Sequence, residues 1–188
     1  MFSCLNGQKF STIVADPPWA FKAYSEEGYE KSAQKHYDCM NIKDIYNMPV
    51  KDLTNKDCVL LLWTSAPMLD KGMETLKAWG FTYKSRFSWI KMTKNDKVRI
   101  GPGYLVRTMH EDVLIGTIGK SIVDHAFPSL FSGLAREHSR KPDNFYPMVE
   151  ERCPGPYLDM FGRQSRDKWV VWGNEADKFD APLLEECG

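Results

Sequence analysis

Short unbroken apolar runs set the rhythm of this chain. Ile13-Val14-Ala15 anchors the first, over residues 12–16, and "CVLLLWT" at 58–64 is the second. Runs without alternation predict strands buried on both faces. "FTYKSRFSWIK" (81–91) alternates well enough for a third strand, "DVLIGTI" (112–118) is a fourth and "SIVDHAF" a short fifth. "YLDMF" (157–161) and "KWVVWGN" (168–174) complete the series. Between the strands the period lengthens. Asn41 caps a short helix over 42–48 that Pro49 stops. Leu69, Met73 and Leu76 share one face of a helix over 66–79, with Pro67 in its first turn and Gly80 at its end. A third helix covers about 144–152, where Pro147 fits only the first turn. Three polar stretches, 20–40, 92–109 and 128–142, read as loops. Strands alternating with helices imply an α/β sheet covered on both faces. Ligands of such sheets bind beyond the carboxyl ends of strands, which makes Asp16, Trp63, Phe161 and Asn174 candidate site positions.

Composition narrows the class without naming a partner. The chain has 188 residues, expected to form a single domain over 1–188. Lys+Arg and Asp+Glu stand at 25 each, so a nucleic-acid partner needs a local basic surface rather than bulk charge. No apolar run approaches the roughly 20 residues of a membrane span, and the start lacks a signal-peptide core. The 5 cysteines are scattered with no CxxC pair, which argues against a zinc site and against a disulfide framework. His36 and His125 are not spaced with other ligands, so no metal is proposed. The expectation is a soluble, cytoplasmic protein in a reducing compartment, monomeric or homodimeric, with no membrane partner.

The first strand ends in an unusual corner, Asp16-Pro17-Pro18-Trp19. Neither proline has an N–H to donate, and each restrains the residue before it to an extended conformation. The corner therefore offers acceptors only: the Asp16 carboxylate beside the Pro17 carbonyl. Two adjacent acceptors suit an exocyclic –NH2, and Trp19 could stack on the ring that carries it. Hydrogen bonds from both N–H groups would favour a pyramidal nitrogen whose lone pair points out of the ring plane, ready to attack a sulfonium methyl carbon. A stiff turn with Trp19 at the edge of the core fits the same four residues.

A second candidate lies far along the chain, in "YLDMFGRQSRDKWVVWGNE". Gly162 follows a strand and lets backbone approach a ligand. Glu175, just past the next strand, is placed to hold ribose hydroxyls as acids do in dinucleotide folds. A plain strand–turn–strand with solvated polar ends reads equally well from this segment alone.

Together these segments resemble the N6-adenine methyltransferase family that includes the messenger-RNA adenosine methyltransferases of eukaryotes and many bacterial and phage relatives. The resemblance rests on an ordered series: "ADPPW", "LLLW" before a helix, "WIKM", "HEDVLIG", "HSRKPD" before a helix, "LDMFGR" and "WGNE", from Asp16 to Glu175. It implies a Rossmann-like, S-adenosylmethionine-dependent methyltransferase fold in permuted order, the catalytic strand preceding the cofactor strand. It implies Asp16, Pro17, Pro18 and Trp19 as the catalytic segment. Cofactor contacts are implied at Asp16, His110, Phe161, Gly162, Arg163, Ser165, Asn174 and Glu175. Tyr37 in "HYDCM" is the implied tyrosine near the base.

Departures from the pattern bear on the details. His110 stands where the eukaryotic catalytic members carry a lysine, so either it contacts the cofactor or His110 and Glu111 merely cap the strand. The chain starts only a few residues before its first strand, so any upstream cofactor contact is expected to be missing or replaced. No separate target-recognition domain fits. Arg136, His138, Ser139, Arg140 and Lys141 form the densest basic stretch, read either as phosphate contacts or as a solvated loop. Lys91, Lys94, Lys97 and Arg99 carry the same two readings. The expected reaction is methylation of adenine N6 in nucleic acid, DNA favoured over RNA. The rivals are an inactive binding partner of such an enzyme and a cytosine amino-methyltransferase. The intact corner favours activity, and related cytosine enzymes favour Ser at its first position.

Overall fold

The computed structural model describes residues 2–5, 7–20, 39–103, 105–137 and 139–180. Its strands are β1 (Phe10–Ala15), β2 (Thr54–Thr64), β3 (Thr82–Met92), β4 (His110–Ile118), β5 (Leu130–Leu134), β6 (Tyr157–Met160) and β7 (Trp169–Trp172). The helices are α1 (Ile42–Tyr46), α2 (Leu69–Ala78) and α3 (Phe145–Arg152). The strands form one sheet in the order β5-β3-β4-β2-β1-β6-β7. β1 lies between β2 and β6, parallel to both, and β7 is parallel to β6. β4 runs antiparallel to β2 and β3. The carboxyl ends of β1, β2, β3, β6 and β7 therefore meet the amino end of β4 along one edge of the sheet. That edge is where ligands of open α/β sheets bind.

Each face of the sheet buries its own core, and residue parity decides which side chain goes where. Ile13, Ala15, Leu60, Leu62, Leu114, Leu158 and Met160 point to the face covered by α1 and α2, where Ile45 and Leu76 meet them. Val14, Leu61, Trp63, Phe87, Trp89, Val113 and Ile115 point to the other face, which α3 covers with Phe145, Tyr146 and Val149. The Asn41 side chain accepts from the Lys43 N–H at the start of α1, as the sequence predicts. Gly80 ends α2 at φ +82, a left-handed turn that glycine adopts without strain.

Two expectations need correction. Residues 121–127 do not form a strand; the Asp124 N–H is taken by the carbonyl of Arg152 at the end of α3, and Ile122, Val123 and Phe127 pack on the α3-side core from an irregular crossing. The fifth strand lies further on, inside the stretch read as a loop. β5 pairs in parallel with β3 from Leu130 to Leu134 at the sheet edge, with Leu130 57% exposed. In addition, the segment 66–79 is two pieces, a 3-10 turn over Ala66–Met68 followed by α2. No helix among the described residues is long and apolar enough to cross a membrane.

Candidate functional site

Asp16 follows Ala15 at the end of β1 and continues the face of Val14, so it points to the α3 side of the sheet. Its N–H donates to the Met160 carbonyl (3.2 Å), which carries the ladder to β6 one residue past the strand. The Pro17 carbonyl accepts from the Trp19 N–H (2.8 Å), and the Pro18 carbonyl accepts from the Met40 N–H (3.0 Å). The corner is thus fixed from within, and among the described residues one lone pair remains on the Pro17 oxygen. Trp19 is 8% exposed, packs in the core on the α1/α2 side, and donates its indole N–H to the Trp63 carbonyl (3.2 Å).

Beside Asp16 runs a line of alternating charge. Lys141 Nζ lies 2.9 Å from Asp16 Oδ2 and 3.0 Å from Glu111 Oε2. Lys91 Nζ lies 2.6 Å from Glu111 Oε1. Ser139 Oγ donates to Asp16 Oδ2 at 3.3 Å. The Lys141 ammonium also sits 4.6 Å from the centre of the Trp63 ring, a cation–π contact that keeps its inner side covered. Burial pushes the Asp16 carboxyl up, against the opposing pull of Lys141 and Ser139. Burial also pushes on Glu111, but Lys141 and Lys91 outweigh it and hold that carboxyl at about 2. Lys141 is buried, yet its two carboxylates raise it above an ordinary lysine.

On the opposite flank Asp159 interrupts apolar β6. It is 2% exposed, and the Tyr146 hydroxyl donates to Oδ2 (2.7 Å). Burial pushes Asp159 up to about 7, with Tyr146 and Arg166 pulling the other way. The Arg166 guanidinium stacks 3.6 Å from the centre of the Tyr146 ring. Past β6 the backbone turns at Phe161, which adopts φ 63, a left-handed conformation that costs a non-glycine residue roughly 1–2 kcal/mol. Gly162 follows, where a Cβ would come 2.7 Å from Asp159 Oδ2 and 2.6 Å from Val171 Cγ1. Only glycine lets the loop sit this close to β6 and β7. Arg163 Nη2 pairs with Glu175 Oε2 at 2.7 Å, and Lys178 pairs with the other Glu175 oxygen. The Phe179 ring stands between Arg140 and Arg163, 4.9 and 5.0 Å from their guanidinium carbons.

These residues enclose one cleft, floored by Val14, Asp16, Trp63 and Asp159 and walled by Lys141, Phe161, Arg163 and Phe179. Its free volume is about 30 Å³. That is small against the few hundred Å³ that a nucleoside-sized ligand fills. The Arg140–Phe179–Arg163 stack and the Arg166 side chain take up the remaining space. The Nε atoms of Arg140 and Arg166 are buried there without a hydrogen-bond partner among the described residues. The cleft therefore presents carboxylates on its floor and cationic donors in its walls.

The family model described as MT-A70 matches residues 10–175, from the first residue of β1 to the glutamate paired with Arg163. The chain belongs to the MT-A70 family. The expectation of an N6-adenine methyltransferase family is thus met, and the seven-stranded sheet with helices on both faces is its Rossmann-like methyltransferase fold. A type II methyltransferase, M.MunI, from a Mycoplasma is 27% identical over 99% of this chain and 87% of its own length. A probable N(6)-adenosine-methyltransferase MT-A70-like protein from rice is 27% identical over 89% of this chain. The human N(6)-adenosine-methyltransferase catalytic subunit METTL3 is 26% identical over 90% of it. This chain spans 23% of the rice protein and 28% of the human one.

In this MT-A70 chain Asp16, Arg140, Lys141, Phe161, Gly162 and Arg163 line the cleft, and Glu175 adjoins it through Arg163. Trp19, Lys91, His110, Ser165 and Asn174 are not among its lining residues. Lys91 reaches it through Glu111, Ser165 turns its N–H to Asp180 Oδ1 (2.7 Å), and Asn174 is exposed past β7. Strand parity separates the two residues at the start of β4. His110 shares a face with Asp112, 3.7 Å from its carboxylate, whereas Glu111 shares the face of Val113 and Ile115 and turns toward the cleft. Alternation from Val113 and Ile115 is the signal that could have selected Glu111. Asp159 could have been found as the lone acid in a buried strand. Tyr146, Arg166 and Phe179 carried no sequence signal for the cleft. Among the basic residues, Arg136 pairs with Asp143 and Arg140 with Glu137, so both have partners within the chain. Tyr37 and His138 lie outside the described residues.

Proposed function

We propose that this chain transfers a methyl group from S-adenosylmethionine to the exocyclic N6 amine of adenine in nucleic acid, with DNA the favoured substrate. The observation that carries the reading is the placement of Asp16. It stands at the end of β1 in the floor of the cleft, next to two residues that have no N–H, and across one ladder bond from the Phe161–Gly162–Arg163 turn. The family, the methyltransferase names of the relatives and the near full-length match to the type II enzyme support it.

The cleft suits the donor in kind: cationic side chains for a carboxylate, a tight glycine turn in its wall, and beside it the Glu175 carboxylate, which would exchange its lysine and arginine partners for hydroxyls. Arg163, Glu175, Phe161 and Gly162 would hold it, with Asn174 and Ser165 at the rim; Phe179 and the arginines beside it would shift to admit it. The donor supplies an electrophilic methyl carbon on a sulfonium. The rest is done by the chain's own groups. Asp16 and the remaining lone pair of the Pro17 carbonyl accept the two N–H bonds of the amine. That weakens conjugation of the nitrogen with the ring and aims its lone pair out of the plane. Asp16 takes the proton that the nitrogen gives up as the new N–C bond forms. Buried Trp19 pins the corner from the α1/α2 side of the sheet and keeps both acceptors in place. Arg140 in the cleft wall supplies positive charge beside that floor, which suits a flipped-out nucleotide and its flanking phosphates.

The test is incubation with labelled S-adenosylmethionine and duplex DNA, single-stranded DNA or RNA, followed by mass spectrometry of the nucleosides. N6-methyladenine is expected in DNA. Folded protein that yields none on any substrate overturns the proposal, and product in RNA alone reverses the substrate preference.

A further inference from the structure

Four ionisable side chains from four different segments stand in one row: Asp16 after β1, Lys141 before α3, Glu111 on β4 and Lys91 on β3. The side chains of Lys141, Asp16, Glu111 and Lys91 are only 9%, 21%, 20% and 22% exposed. Surface ion pairs are worth little, but a row this covered is screened weakly by water. The attachment of each oxygen is informative. Lys91 holds Glu111 by Oε1, and Lys141 holds it by Oε2. On Asp16, both bonds from described residues, from Lys141 and Ser139, fall on Oδ2. Oδ1 therefore keeps its lone pairs among the described residues.

We infer that Lys91 and Glu111 are positioning residues: they divide the Lys141 ammonium between two carboxylates and so keep an acceptor open on Asp16. This rests on the role proposed above for Asp16 as acceptor of the amine. An ammonium has three N–H groups and no directional plane, so its position follows the charges around it. With Glu111 gone, Lys141 has one carboxylate left and closes onto both oxygens of Asp16, the very atoms the amine needs. With Lys91 gone, Glu111 turns its whole charge to Lys141 and draws it away from Asp16. The groups that face Asp16 are Lys141 and Ser139 from the segment before α3, Glu111 from β4 and Asp159 from β6. Of these, Glu111 is the one that Lys91 controls directly.

The two deletions therefore act on Asp16 with opposite sign. Removing a negative neighbour in E111Q makes the Asp16 carboxylate easier to form, and removing a positive neighbour in K91M makes it harder. The experiment is a carbon-13 NMR titration of carboxyl-labelled aspartates in the whole ligand-free protein, with the Asp16 signal assigned by its loss in D16N. The Asp16 midpoint is expected to fall by roughly one pH unit in E111Q and to rise by roughly one in K91M. K91R restores the wild-type midpoint. Displacement in the same direction in both variants, or no displacement in either, overturns the inference. Should E111Q not fold, K91M against K91R decides alone, and a K91M midpoint equal to the wild type overturns it. The acid limb of kcat/KM for methyl transfer moves with the same opposite signs. A wild-type chain that titrates as expected but methylates nothing counts against the proposed function and leaves the charge-sharing intact.

Discussion

Glu111 and Asp159 occupy the two flanks of one cleft, on one face of one sheet, Asp159 buried and Glu111 largely covered. One is held at about 2 and the other is pushed up to about 7. Burial acts upward on each, so burial does not explain the difference. Partners do. Glu111 has two lysines within 3.0 Å, whereas Asp159 has a tyrosine hydroxyl and an arginine that is stacked on that tyrosine's ring. The β3/β4 flank is an ionic frame in which Glu111 stays charged across the physiological range. The β6 flank is an aromatic frame around a carboxyl that changes state within it. Asp16 stands between them and takes part in both, through Lys141 on one side and the field of Asp159 on the other.

The sharpest way to break this comparison is at its middle. D16A is expected to lower the methyl-transfer rate about 10³-fold or more, equivalent to roughly 4 kcal/mol of barrier. Lys141 keeps Glu111 as a partner, so near-ultraviolet circular dichroism should still report a packed core. A D16A protein that retains a tenth of the wild-type rate removes Asp16 from the chemistry. On the ionic flank, K141M leaves two covered carboxylates facing each other. Urea denaturation at pH 7 should show a loss of roughly 3 kcal/mol. A loss below about 1 kcal/mol would mean that the row is solvated and screened like a surface pair.

The aromatic flank gives a smaller and pH-dependent effect. The Asp159 carboxyl binds its proton more tightly in the folded state than in the unfolded chain, where it titrates near 4. Wild-type stability from this group is therefore complete below about pH 4 and declines as pH rises toward 7. D159N removes the decline, so its advantage over the wild type grows from pH 4 to 7 and reaches roughly 2 kcal/mol by denaturant titration at pH 8. A difference that is flat with pH contradicts the assignment. The smallest effect belongs to the corner itself. W19F deletes the indole donor to the Trp63 carbonyl and should cost about 1 kcal/mol for that bond. A larger loss would show that the corner, not the flanks, organises the cleft.

Much of this was written locally in the chain. Asp16, Pro17 and Pro18 state their geometry in three residues, because proline stiffness needs no tertiary context. The glycine after Phe161 was legible as a close approach, although the left-handed residue is Phe161 rather than Gly162. What escaped was information carried by pairing. β5 is short, half exposed and held only by β3, so nothing in "LFSGL" distinguishes it from the loop around it. Lys141 sits in a basic run, and composition does not say which member of a run turns inward. Its basic neighbours Arg136 and Arg140 have partners of their own, while Lys141, together with Ser139, reaches Asp16. His110 attracted attention through the family pattern, yet the two-residue period of β4 puts Glu111 on the cleft face.

The register that joins Ala15 to Met160 has a consequence for how the protein is made. β1 leaves the ribosome before β6, with most of the sheet made in between. At ordinary translation speeds roughly ten seconds or more separate them. Throughout that interval one side of β1 is an open hydrogen-bonding edge beside the apolar Ile13, Val14 and Ala15, the kind of template that invites pairing with another chain. Closure of that edge and assembly of the cleft are one event, since β6 delivers Asp159 and the Phe161 turn as it docks. The growing chain thus carries an unguarded strand until the moment the cleft forms.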